Sequence, residues 1–337
     1  MKPFERFISV RLTRITFEVL VIGAGFLLLS LLLKTHWVTN FMVFCIFAMS
    51  FDLLYGFMGH LSFGHMLYFG AGSYLTALTL IHLSPDPLIS SVIALLATFL
   101  LSSVIGLIAL RTKGASFALL NMAFNEVGYF LAASLLVKYT KGADGLSFSP
   151  RPLFGVFNFY HDSHAFIVTL FSLLLVYLIL RFITSAPYGI MIRSIKENEK
   201  RTEFFGYNTF ALKWLTFNIS ALIAGFSGCL FALTQGFVSP STVSPFGNVD
   251  VIFAVLIGGA GNIVGAIIGG NLLMILKNQL PTMIPHLEKL LGLRLPQWEM
   301  WLGIILLVIV FVWRKGVTGY LGHRIRAKAL AMGKYHD

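Results

Sequence analysis

The sequence predicts an all-α integral membrane protein: a polytopic helix bundle of about ten membrane segments, one of them short and broken or re-entrant. Three observations carry this reading. Hydrophobic residues make up 57% of the 337 residues and charged residues 12%, with a mean hydropathy of +0.83, far from the composition of a soluble domain. The apolar runs 17–33, 87–110, 165–183 and 301–312 are mostly at or near the length that crosses hydrocarbon as a helix. Basic residues sit asymmetrically between such runs, as they do when they set orientation.

The first segment, 17–33, follows Arg11 and Arg14 and precedes Lys34, without a small-residue cleavage site. It therefore reads as a retained span and not a removed signal peptide. Further segments are predicted at 38–56, 63–82, 88–110, 115–137, 164–184 and 213–235. The stretch from Val249 to Leu280 looks like one more, but a single span there would send the basic tail outside. Dividing it into a short segment 248–258, a turn at "GGAGN" (258–262) and a segment 262–280 brings the tail back in; a last span covers 298–313. On this map the interior side collects 18 of the 25 Lys and Arg and the other side 7, so both termini are cytoplasmic. One domain fills 1–337, with a cytoplasmic loop at 185–212 and a basic cytoplasmic tail at 314–337. The short eighth segment rises only about 16 Å, roughly half the hydrocarbon thickness. It must be covered by protein or by a water-filled cavity, and is expected beside the transport path, away from the charged loop.

Composition also excludes. The formal charge of +11 lies beside the spans, which argues against a nucleic-acid partner and for membrane lipid. There is no G-x-x-x-x-G-K-[ST] loop, nucleophile elbow, cysteine cluster or dinucleotide fingerprint, so the chain is predicted to be no enzyme, and a partner must bind any ATP. Cys45 and Cys229 lie in apolar runs and read as small hydrophobes. No metal site is predicted: His60 and His65 lack chelating helical spacing, and "HDSH" (161–164) is a poor ligand set.

Against this background "RSIKENEKRTE" (193–203) stands out, with seven charges in eleven positions. It reads as a short helix closed by Gly206, with Glu197 and Arg201 four apart in the favourable order. A charge run is usually just a solvated helix. Phe204 and Phe205, large and apolar on a polar loop, favour a helix that docks onto another protein.

The stretch "GIMIRSIKENEKRTEFFGYNTFALKWLTFNISALIAGFSGCLFA" resembles the cytoplasmic loop and following span of the permease subunits of branched-chain amino-acid ABC importers. Arg193, Asn198, Glu199, Gly206, Lys213, Phe217, Ser220, Ala221, Ala224, Gly225 and Gly228 occupy that family's pattern, while Arg201 and Thr202 stand where small alanines are usual. Four further blocks agree in order: "GFMGHLSFGHMLYFGAGSY" (56–74), "SFALLNMAFNEV" (116–127), "TKGADGLS" (140–147) and "GGAGNIVGAIIGG" (258–270).

The resemblance implies an import subunit for branched-chain amino acids or a related small polar solute such as urea or a short amide, in a bacterial or archaeal cytoplasmic (inner) membrane. It implies a homologous second permease subunit, two cytoplasmic ABC ATPases and an external or periplasmic solute-binding protein. The chain itself holds no cofactor on this reading; ATP and Mg belong to the ATPases. The ATPase-coupling residues would be Arg193, Glu197, Asn198, Glu199, Phe204, Phe205 and Gly206. Pathway or packing positions would be Gly59, Ser62, Gly64, His65, Asn121, Asn125, Glu126, Gly258, Gly259 and Gly261. Asp52 and Glu126 are ionisable groups within membrane segments: Asp52 reads as structural, and Glu126 equally as a pathway group or a structural one. The alternative is a stand-alone ion-coupled secondary transporter or channel using one of these acids.

Overall fold

The computed structural model describes residues 3–291, 296–313 and 316–320. In chain order it contains α1 (Pro3–Leu32), α2 (Thr35–Asp52) continued by a π-turn at Leu53–Phe57, α3 (His65–His82), α4 (Pro87–Ala109) and α5 (Ala115–Phe130), whose end unwinds through a second π-turn at Leu131–Leu135 into α6 (Val137–Thr140). Then come strand β1 (Leu146–Ser147), α7 (Asp162–Ser185), α8 (Pro187–Phe204), α9 (Thr209–Gln235), strand β2 (Phe237–Val238), α10 (Gly247–Gly258), α11 (Ile263–Leu291) and α12 (Trp298–Val312). Local chemistry sets several ends. Asp86 accepts from the Leu88 amide at 2.9 Å before Pro87 to start α4, Asn208 accepts from the Ala211 amide at 3.0 Å to start α9, and Gly236, left-handed at φ 63°, closes α9.

The chain is a multi-pass all-α membrane protein, but the segment count differs from the prediction. Every predicted segment is helical, yet among the described residues six helices are long and apolar enough to cross, or up to seven if the pair Ala115–Leu135 and Val137–Asp144, bent by 74°, is one span. Helices α10 and α12 are too short, and α3 carries too many polar groups. The physical reason for α3 is its place: it packs against α9, α4 and α5 inside the bundle, so Ser73, Thr76 and Thr79 are buried in protein and not offered to lipid.

Helix α2 is the axis, mostly buried between α7, α9 and α11. Helix α1 is peripheral and is held to α7 by Glu18, which accepts from the Tyr177 hydroxyl at 2.6 Å and from Arg181 at 3.2 Å. Small residues set the crossing of α3 and α9. A β-carbon on Gly72 would lie 2.0 Å from the Gly225 carbonyl oxygen, and one on Gly228 would lie 1.9 Å from that of Phe69. Ser73 adds an interhelical bond to the Gly228 carbonyl at 3.0 Å. Close backbone approach of this kind is how helices associate where no hydrophobic effect separates them from lipid. At one end, β1 and β2 pair antiparallel, Leu146 opposite Val238, which ties the loop after α5 to the exit of α9.

Candidate functional site

The charged stretch forms α8, which begins at Pro187 and is broken at Asn198, whose backbone (φ −161°, ψ 100°) is extended. The side chain of Asn198 then accepts from the Arg201 amide at 3.0 Å, capping a new turn. The break has two consequences. Glu197 and Arg201 lose the four-residue register that was expected to pair them, and no ion pair joins them among the described residues. Thr202 turns inward, its hydroxyl bonding the Asn198 carbonyl at 3.2 Å, so the departure from alanine is accommodated by one hydrogen bond.

Glu199, among the expected ATPase-coupling residues, is bonded within the chain itself. It accepts from Lys213 of α9 at 2.5 Å and from Lys113 of the α4–α5 loop at 2.8 Å, and Lys213 is almost wholly buried. Burial pushes the Glu199 carboxyl up, but the hydrogen bonds and charges of Lys113 and Lys213 outweigh it and hold the pKa at about 2. Glu199 is thus a clamp between two segments. Phe204 and Phe205 are 90% and 75% exposed, and Gly206, left-handed at φ 84°, ends the segment behind them. Beside them lies a cavity of about 230 Å³ lined by Ile190, Glu197, Asn198, Arg201, Phe205 and Tyr207.

The other face of α8 grips the end of α2. Arg193 stacks over the Phe57 ring at 4.8 Å, and Lys196 donates to the Gly56 carbonyl at 2.6 Å, its stem passing against Gly59. Gly56 lies on the backbone of Gly261, and Asp52 accepts from the Gly261 amide at 2.7 Å. This corrects the expected separation of the glycine-rich turn from the charged helix: turn and helix share one end of the bundle, linked through residues 52–56. The spacing of Lys196, Gly56, Asp52 and Gly261 in sequence carries no signal of this, because the four come from three separate elements. The turn itself needs its glycines. Gly259 and Gly261 sit at φ 104° and 86°, and a β-carbon on Gly258 would lie 1.9 Å from the Gly265 carbonyl oxygen. Thr318 donates to the Gly258 carbonyl at 2.6 Å, so the chain after α12 returns to this end. Arg314, Lys315 and residues 321–337 of the basic tail lie outside the described residues.

The central polar positions are buried and hydrogen-bonded within the fold. His65 is fully buried among Phe47, Phe51 and Tyr68, with Nε2 3.0 Å from the Ser50 hydroxyl, and Ser220 donates to the Ser50 carbonyl at 2.6 Å. Ser62 accepts from the Gly64 amide at 3.3 Å, and Gly64 lies on the Asn121 backbone. Asn121 bonds within its own helix, to the Phe117 carbonyl at 2.8 Å. Asn125 bonds the Val243 carbonyl at 2.6 Å and receives a bond from Asn248 at 2.9 Å, while Asn248 accepts from the Met66 amide at 2.9 Å. Asn248, absent from the sequence reading, thereby joins α10 to α3 and α5. Of the loop "HDSH", His164 accepts from the Asn158 amide at 3.2 Å, a loop fastening.

Glu126 differs from all of these: it is exposed on a face of α5 shared with Leu119, Met122 and Phe130. A further pair was missed. Asp250 of α10 accepts from Lys277 of α11 at 2.7 Å. Both fall within predicted membrane segments, and a search for every charge in those segments would have found them. They line a cavity of about 430 Å³, whereas a cavity of about 540 Å³ between α1 and α11 is lined almost entirely by apolar residues.

A profile of the family described as branched-chain amino acid transport system / permease component matches residues 34–327. The chain is similar to the high-affinity branched-chain amino acid transport system permease protein LivM of Salmonella typhimurium, 26% identical over 260 residues that cover 70% of this chain and 61% of that protein. The protein of the same name in Escherichia coli is 28% identical over 262 residues, 69% and 60% of the two chains. The probable branched-chain amino acid transport permease protein LivM of Methanocaldococcus jannaschii is 28% identical over 271 residues, 73% and 76% of the two. The matched region spans about three-fifths of the length of the first two relatives. No solved structure matches the chain.

Proposed function

This chain belongs to the branched-chain amino acid transport system / permease component family, and from that premise we propose that it is a membrane-spanning subunit of an ATP-driven importer for branched-chain amino acids or a chemically related small solute. Its partners are a second permease subunit, two ATPases at the end of the bundle that carries α8, and a solute-binding protein at the opposite end. That places α8 and both termini in the cytoplasm. ATP and Mg are handled by the ATPases, and this chain contributes no reacting group.

The observation that carries the reading is the construction of α8. Its outer surface presents Phe204, Phe205 and a notch to solvent. Its inner surface is bolted to α9 through Glu199–Lys213, to α2 through Lys196 and, by way of Asp52, to the turn between α10 and α11. A push on the exposed aromatics therefore reaches three membrane helices through short bonded contacts, which suits a rigid-body switch between inward and outward access. The lone-carrier alternative is less favoured by its candidate acids: Asp52 has one oxygen bonded to the Gly261 amide, and Glu126 points out of the single chain.

Glu126 sits eleven residues from Ala115, about 16 Å along the helix and so near mid-bilayer. A carboxylate facing lipid there is costly. We assign its face of α5 to the second permease subunit and the aqueous path between the two. The test is reconstitution with the partner subunits. Phe204→Ala/Phe205→Ala should leave insertion intact and abolish solute-stimulated ATP hydrolysis; unchanged stimulation would refute the docking role of α8.

A further inference from the structure

The cavity bounded by α2, α3, α10 and α11 combines three features within about 430 Å³, a volume in the range of small-molecule sites. One wall is the ion pair of Asp250 and Lys277, joined at 2.7 Å. The side chains are 30% and 31% exposed, so neither charge is sealed into protein; both border the cavity. The lining is otherwise largely aromatic, with Phe44, Phe47 and Phe69 among it, and Asn40 adds an amide. Asp250 lies eight residues from Gly258 at the end of α10, about 12 Å into the bundle, at a depth where ionisable groups are expensive and mark sites of use.

We infer that this cavity is a transit site for a zwitterionic α-amino acid with an apolar side chain, its carboxylate meeting Lys277, its ammonium meeting Asp250, and its side chain lying on the Phe44, Phe47 and Phe69 rings. The inference rests on the transport reading above and supplies the recognition chemistry for it. The electrostatics favour a zwitterion over either singly charged relative. A zwitterion entering between the two side chains exchanges one ion pair for two, and the net charge of the site does not change. An amine or a carboxylate alone satisfies one partner and leaves the other charge unpaired in a partly desolvated site, which costs more than the new contact returns. The rings supply affinity for a branched chain without excluding its isomers, since an apolar pocket discriminates only weakly between methyl arrangements. A transit site needs this balance, because a solute held too firmly would not leave.

The experiment uses the assembled complex in lipid nanodiscs, with Asn278→Cys, a residue lining the cavity, as reporter. Cys45 and Cys229 are both buried, so a water-soluble methanethiosulfonate reads the new thiol. L-leucine should slow its modification at least roughly tenfold more than 4-methylpentanoate or 3-methylbutylamine at equal concentration, the discrimination expected when one partly desolvated charge is left unpaired. Protection should vanish in Asp250→Asn/Lys277→Gln. It should also fall in Asp250→Lys/Lys277→Asp, which keeps an ion pair and hence the fold but reverses its direction relative to the rings. Equal protection by the singly charged analogues, undiminished protection in either double variant, or a reporter that is never modified would each overturn the site. Leucine uptake by the unaltered complex is measured alongside: uptake without protection rejects the site and leaves the transport reading standing, whereas absence of uptake rejects that reading for leucine itself.

Discussion

Glu199 is a clamp whose removal strands a buried lysine. Lys213 is 4% exposed at its side chain and has Glu199 as its ion-pair partner, so Glu199→Gln leaves an uncompensated charge in the protein. The expected loss is about 2–3 kcal/mol, read as a lowered thermal midpoint in detergent. Replacing both partners, Glu199→Gln with Lys213→Met, should restore much of it, because the charge to be paired has gone; equal loss in the double variant would show that the two do not interact. The pH dependence has a definite sign. The folded-state pKa of Glu199, at about 2, lies below the ordinary value of 4.5. Its contribution is therefore full above pH 4.5 and is lost as pH falls through 4.5 toward 2. A midpoint that rises on acidification through this window would contradict the assignment.

Helices α3 and α9 meet through glycine, and the contact is backbone on backbone. Gly72→Ala forces a methyl to within 2.0 Å of the Gly225 carbonyl oxygen, a displacement that a helix cannot absorb by a rotamer change. We expect a destabilisation of about 2–3 kcal/mol and loss of the monodisperse species on size exclusion. Gly25→Ala, where nothing lies within 4 Å, is the matched control and should leave the chain unaltered. The α10–α11 hairpin behaves likewise at its turn: Gly259→Leu places a branched side chain at φ 104°, beside the contact that Lys196 and Asp52 make with this end of the bundle. It should impair coupling together with transport, and solute-stimulated ATP hydrolysis that survives in full would separate the turn from α8 after all.

For the whole molecule, the shared end formed by α8, the glycine turn and the segment around Thr318 predicts one compartment for all three. A cysteine at Lys200 should be labelled only from the cytoplasm, and cysteines at Ser147 and Gln297 only from the opposite side. Outside labelling at Lys200 inverts the map. Glu126 is the second molecular-scale test. Exposed on α5 in the single chain, it should be shielded from lipid in the complex, so Glu126→Leu is expected to reduce solute flux at least roughly tenfold while subunits still assemble, and Glu126→Gln to reduce it less. Full flux in Glu126→Leu would place this face against lipid.

Helix positions, the short segment before "GGAGN" and the charged helix with its terminal phenylalanines were all legible in the sequence, because hydropathy, glycine clustering and local charge density are properties of neighbours along the chain. Family membership was legible for the same reason, in five ordered blocks from Gly56 to Gly270. What the chain order could not express is which distant groups meet. Glu199 looks like a surface acid until Lys213 and Lys113 close on it. Asp52 looks like a lone buried carboxylate until the Gly261 amide reaches it from 209 positions away. Asn248 gives no signal because it is one polar group in an apolar run; Asp250 and Lys277 can be read as charges within predicted membrane segments, but not as a pair. Sequence by itself determined which stretches read as membrane segments and which as a charged loop; tertiary structure decided which of their polar residues clamp, which pack and which border open space. The reason is that burial and partnership depend on three-dimensional neighbours, and a low-dielectric interior makes those neighbours decisive for every charge placed in it.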